Sequence, residues 1–223
     1  MNTLSNVTPK RGDSCSPHTS FTASVSSKKS IDGVSVRYAQ DPDKKWFVLR
    51  VSYHRELKAY DYLINRGIEA FLPLHRSLKH IKGKRQFVIE SYLPNLLFVY
   101  ASQETIEYCI KQTPELHFLS YYYDHFSIGP HGTNPPLIVP YAEMMNFIKI
   151  ASIDNPHVRI VEPAHCHFKS GDIVRITDGE FKGVEGRVAR VAGQQRVVVE
   201  ISGLCLISTA YIPSAFIEKK KEN

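Results

Sequence analysis

Cysteine is scarce in this 223-residue chain: Cys15, Cys109, Cys166 and Cys205, with no C-x-x-C pair. That spacing argues against a disulfide framework and a cysteine-type zinc site, and suits a reducing cytoplasm. No apolar run reaches the roughly 18 residues of a membrane-spanning helix, so no membrane role is expected. The first thirty residues hold Ser, Thr and Lys in place of the apolar core of a secretion signal. Catalytic signatures are lacking too. Gly129-Pro130-His131-Gly132 is not the GxxxxGK pattern of a phosphate loop. No Ser-His-Asp set or paired carboxylates can be inferred, and no cofactor is implied. His165-Cys166-His167 is a poor metal site, because neighbours in an extended chain point to opposite sides and no second cluster supplies ligands.

What the chain has is positive charge in one place. Lys and Arg number 28 against 22 acids, a net +6. Residues 44–100 alone hold 11 cations and 4 acids, whereas residues 101–167 hold 3 and 7. Concentrated charge selects partners, and here it suggests nucleic acid or another polyanion; a solvated lysine-rich face is the plainer alternative.

Residues 1–43 are rich in Ser and Thr and show no apolar period, so they read as a disordered tail. Order should begin near Trp46. Trp46–Val51 reads as a strand, followed by a helix over 53–66 capped by Ser52 and stopped by Gly67. Ile68–Leu74 reads as a strand, and residues 75–90 as a basic β-hairpin turning at Gly83. Leu93–Tyr100 is an apolar strand, Glu104–Lys111 a helix and His117–Ser120 a short strand. A last helix over 140–150 points Met144, Phe147 and Ile148 inward. These elements describe an α+β sandwich over residues 44–150. Residues 151–167, with Pro156 and Pro163, read as a linker. Residues 168–223 change to five short strands separated by glycine turns, the grammar of a small all-β barrel.

Gly171-Asp172-Ile173-Val174-Arg175-Ile176-Thr177-Asp178-Gly179-Glu180-Phe181-Lys182-Gly183-Val184-Glu185-Gly186-Arg187-Val188 resembles the KOW motif of SH3-like barrels. Gly179 and Gly183 suit a tight loop, Gly186 a sharp bend, and Phe181 can tuck back over the loop. KOW modules occur in ribosomal proteins and in transcription elongation factors. Trp46-Phe47-Val48-Leu49, Lys82-Gly83-Lys84-Arg85, Pro94-Asn95-Leu96-Leu97-Phe98-Val99 and Ile138-Val139-Pro140 resemble the N-terminal (NGN) domain of the NusG family. The second and third of these resemble its specialised branch, typified by RfaH. The stretch Trp46 to Leu63, with Arg55-Glu56-Leu57-Lys58-Ala59-Tyr60-Asp61-Tyr62-Leu63, looks most like the UpxY antiterminators of capsular polysaccharide operons.

The resemblance implies a non-enzymatic transcription antitermination factor, cytoplasmic and monomeric. Its NGN domain would dock on the clamp helices of bacterial RNA polymerase and suppress pausing and termination in specific long operons. It implies a polymerase-binding patch of Leu93, Leu96, Phe98 and Tyr121, with Leu96 and Phe98 exposed; strand alternation by itself leaves open which face is core. It also implies contact with the non-template DNA strand near Arg50, His54 and Arg55, with Tyr53 a stacking candidate. The basic hairpin adds Arg76, Lys79, Lys82, Lys84 and Arg85 as nucleic-acid-binding candidates. For the KOW barrel the resemblance offers three alternatives: a ribosomal protein, the termination factor Rho, or neither. One departure stands out: Glu107, Tyr108, Cys109 and Ile110 occupy the place of the His-Thr-Thr-Thr stretch with which RfaH-type proteins touch the polymerase gate loop. The β-branched run Val197–Val199 and the turn glycines 193 and 203 predict a constitutive barrel, with nothing holding it against the first domain. A ribosome-associated KOW protein that binds RNA is the competing reading, and an enzyme with a nucleic-acid-binding barrel a third.

Overall fold

Large apolar residues on both sides of one strand demand a cover on each face, and Lys45–Val51 (β1) is such a strand. The computed structural model describes residues 38–129 and 132–220. Among them β1 lies inside an antiparallel sheet of order β2-β5-β1-β6, from Glu69–Phe71 (β2), Leu96–Ala101 (β5) and Leu119–Tyr121 (β6). Ile138–Val139 (β7) also pairs with β1. Phe47, Leu49, Leu97 and Val99 face the helices Glu56–Asn65 (α1) and Gln103–Lys111 (α2), packing with Ala59, Leu63 and Ile106. Trp46, Val48, Phe98 and Tyr100 face Tyr141–Ala151 (α3), packing with Met144, Phe147 and Ile150. Each fully buried side chain of this size contributes roughly 1.5–3 kcal/mol.

Order starts before Trp46. Tyr38 is buried against the Trp46 ring, 5.1 Å away, and its hydroxyl donates to the Ala70 carbonyl at 3.1 Å. The Asp41 amide donates to the Tyr100 hydroxyl at 2.8 Å. Residues 38–43, expected within a disordered tail, are therefore tied to the sheet; residues 1–37 of that tail lie outside the described residues.

The hairpin expected over 75–90 is present. Leu74–Ile81 (β3) and Lys84–Ser91 (β4) pair only with each other. Lys82 and Gly83 both take positive φ, 50° and 76°, as the two-residue turn of a right-twisted hairpin requires.

The C-terminal part is a six-stranded antiparallel sheet, ordered β13-β9-β10-β11-β12-β8. Its strands are Arg159–Val161 (β8), His167–Ile176 (β9), Glu185–Val191 (β10), Gln194–Ile201 (β11), Cys205–Ser208 (β12) and Ile217–Lys219 (β13). β8 lies inside the stretch read as a linker and pairs with β12. Buried Arg196 fastens the preceding turn: its guanidinium donates to the carbonyls of His157 and Thr209 at 2.7 and 2.9 Å. At Gly186 a β-carbon would meet the Val198 carbonyl oxygen at 2.5 Å, so only glycine permits this approach of β10 to β11.

The C-terminal sheet does not stand free. One apolar cluster runs from Phe98 and Tyr100 through Met144, Phe147 and Ile150 to Val197, Val199, Ile201 and Ile207. Polar ties line its rim. The Glu143 carboxylate accepts from the Ser202 amide and hydroxyl at 2.9 and 3.0 Å. The Asn146 side-chain oxygen accepts from the Glu185 amide at 2.9 Å, and the Lys149 amine donates to the Gly183 carbonyl at 3.0 Å. Residues 143, 146 and 149 follow one stripe of α3 at a spacing of three. The expectation of a barrel that nothing holds is thus overturned: α3 carries one apolar stripe for the first sheet and another contact for the second.

Candidate functional site

The chain turns a sharp corner between β1 and α1. The helix expected from residue 53 starts at Glu56, because Tyr53 and His54 take left-handed φ values of 64° and 52°. Ser52 provides no side-chain cap. The corner is braced on both sides: the Val51 amide donates to the Asn95 carbonyl at 2.8 Å, and the Ser52 amide to the Phe118 carbonyl at 3.0 Å. Glu56 accepts from the Asn95 amide at 2.7 Å. The result is a Tyr53 ring 77% exposed beside an exposed His54. Arg55 lies 5.4 Å from the Tyr53 ring and 5.2 Å from the Phe118 ring, and Lys58 adds its amine at 5.8 Å from Phe118. Phe118 was not anticipated, since the sequence places it 63 residues from Arg55 with no shared motif. Arg50, at the end of β1, is exposed and has no ion-pair partner among the described residues. Cations and an exposed ring on a fixed corner are what single-stranded nucleic acid binds: phosphates on the charges, bases on the ring.

The hairpin leaves the same end of the sheet, since it returns to β5 through Leu93–Asn95, the segment that braces the corner. Its cations differ in availability. Arg76 pairs with Asp154 at 3.5 Å, and Lys79 is taken by Glu90, whose carboxyl the lysine holds below its usual range. Arg85 donates to the His80 ring at 3.2 Å. Lys82 and Lys84, at the turn, have no ion-pair partner among the described residues.

The four residues of the implied polymerase patch do not form one surface. Leu96 and Phe98, expected exposed, are 9% and 0% exposed. Phe98 packs 5.4 Å from the Phe147 ring. The cause is that β5 is an inner strand with helices over both faces, so neither set of its alternate residues reaches water. Leu93 is half-buried beside this α3-side core, in a turn before β5. Tyr121 pairs with Leu49 and packs at 6.2 Å from Phe47, on the opposite, α1–α2 side. Burial raises its phenol above the usual range.

Glu107, Tyr108, Cys109 and Ile110 lie on α2. Glu107 binds Lys111 at 2.9 Å, Tyr108 is exposed and Cys109 is buried. Cys166 is buried as well, and burial pushes the Cys205 thiol up to about 12, so neither is a ready thiolate. Among the described residues no three His, Cys, Asp or Glu side chains gather as a metal would need, and no helix is long and apolar enough to cross a membrane. Pro130 and His131 of the glycine loop lie outside the described residues.

Residues 44–144 fit the NusG family, described as transcription termination factor NusG. The match takes in both sheet faces, the corner, the hairpin and the first turn of α3.

Proposed function

With a NusG-family domain at residues 44–144 as the premise, we propose that this chain is a non-enzymatic transcription elongation and antitermination factor that binds bacterial RNA polymerase. The family match carries the reading. The braced corner supports it, since an exposed Tyr53 with Arg50, His54 and Arg55 suits a displaced DNA strand. In this reading the factor binds the non-template strand at the corner. Lys82 and Lys84, at the hairpin turn, reach toward phosphates, and Arg76, Lys79 and Arg85 steer from behind through long-range charge.

Polymerase docking on the clamp helices then starts from Leu93, the member of the implied α3-side patch that reaches water. Leu96 and Phe98 contribute by fixing the shape beneath it, and Tyr121 serves the opposite face. Residues 168–223 act as a KOW-type barrel whose glycine loop, with Phe181 tucked beneath, matches the motif's physical logic. Its partner in this reading is a ribosomal protein or Rho. The specialised branch, with capsular polysaccharide operons as targets, is the finer form of the proposal. It rests on the resemblance of Trp46–Leu63, Lys82–Arg85 and Pro94–Val99. A cytoplasmic monomer completes it.

Gel filtration of the purified chain with core RNA polymerase, and separately with ribosomal subunits, tests the reading. Co-elution with polymerase is expected. Co-elution with ribosomal subunits alone would favour an RNA-binding ribosomal protein and leave the corner without a role.

A further inference from the structure

The hairpin arm has two unlike faces. Residues opposed across an antiparallel pair share a face, so Leu78 with Phe87 and Arg76 with Ile89 lie on one side. Lys79 with Gln86 and Ile81 with Lys84 lie on the other. Leu78, Phe87 and Ile89 are 51%, 68% and 68% exposed. Three large apolar side chains adjoining on one strand face are not the scattered apolar surface of an ordinary monomer; rimmed by polar groups, such a patch marks a binding surface.

The rim is cationic. Arg76 lies over the Phe87 ring at 5.0 Å while pairing with Asp154 at 3.5 Å, and Arg85, which donates to the His80 ring, closes the far end. The one acid of the arm, Glu90, is occupied by Lys79. Beside Leu78 a groove of about 460 Å³ is lined further by Arg76, Tyr92, Asp154, Val158 and Ile160.

We propose that this face of the arm is a protein-docking surface, taking a patch of RNA polymerase that is apolar at its centre and acidic at its edge. The proposal rests on the polymerase reading. Charge complementarity sets the acidic edge, because the guanidinium groups of Arg85 and of Arg76, the latter shared with Asp154, flank the apolar trio. The aliphatic members select protein over nucleic acid: Leu78 and Ile89 have no ring to lay against a base, and bases with phosphates would leave them wet. Lys82 and Lys84 at the turn stay free for phosphate, so the arm divides its work between two sides.

The test uses the full chain with Leu78→Ser, Phe87→Ser and Ile89→Ser together, and Phe87→Ser alone as a milder form. Core polymerase free of nucleic acid and an oligo-dT strand are the two probes. All three side chains are exposed, so the circular dichroism spectrum and melting temperature should match the wild type. The triple variant should bind core polymerase about tenfold or more weakly, the single variant less so, with oligo-dT binding unchanged. Equal polymerase binding by wild type and variant would overturn the docking face while leaving the polymerase reading intact. A loss confined to oligo-dT would give the face to nucleic acid instead. A wild-type dimer in sedimentation that the triple variant dissolves would give it to a second copy. A wild type that fails to bind polymerase at all would overturn the polymerase reading itself.

Discussion

Tyr53 and His54 hold left-handed backbone angles that a side chain with a β-carbon pays for, roughly 1–2 kcal/mol each. Hydrogen bonds from Val51 to Asn95 and from Ser52 to Phe118 impose them. Strain kept by its surroundings is common where a side chain must be presented. Tyr53→Gly should therefore raise stability by up to about 1 kcal/mol in urea unfolding while weakening oligo-dT binding. A stability loss would mean that the ring packs usefully where it stands. Arg50→Ala with Arg55→Ala should lower affinity for a single strand and flatten its salt dependence, by a slope of roughly one for each lost phosphate contact. The residue types at this corner were legible in the sequence. The strain was not, for neither Gly nor Asn marks the turn, and the Phe118 platform arrives from a distant loop.

Among the elements, β5 is the instructive one. Alternation predicts two faces but not which of them is covered, and here both are. Leu96→Asp with Phe98→Asp should consequently unfold the chain rather than merely uncouple it from polymerase, because two buried unpaired carboxylates cost several kcal/mol each. Retention of a native melting transition would contradict the burial of this face. Phe147→Ala, which empties the space under Phe98 and Phe71, should cost about 3–5 kcal/mol. The hairpin was legible from its turn glycine and its charge, whereas α3 was read for one buried stripe when it serves two layers. The loop after Tyr123 offers a pH test. Asp124 accepts from the Phe126 amide at 2.8 Å and the Ser127 hydroxyl at 2.6 Å, which hold its carboxyl below the usual 3.8. Its contribution to loop stability is complete above that value and lost as pH falls through the lower folded one. The Phe126 amide resonance should titrate there, and an unchanged resonance down to complete protonation would contradict the contact.

At the scale of the molecule, α3 joins two sheets that the sequence presents as separate units. A linker read from Pro156, Pro163 and the lack of a period gave no sign of β8, because three residues of edge strand are too short to show alternation. Nor could spacing reveal that Glu143 and Asn146 would cap backbone amides of the second sheet. Replacing both with Ala should speed amide exchange at Ser202 and Glu185 well above exchange in the strand interiors, and identical exchange would mean that the apolar contact alone holds the sheets together. Burial of Leu96 and Phe98 beneath α3 removes them as direct contacts for polymerase, whereas the corner and the arm are exposed. A single-round transcription time course with purified bacterial polymerase, on a template with a pause site and a terminator, tests the central claim most directly. Added wild-type chain should shorten the pause and increase read-through; unchanged pause lifetime and unchanged read-through at saturating chain would contradict it.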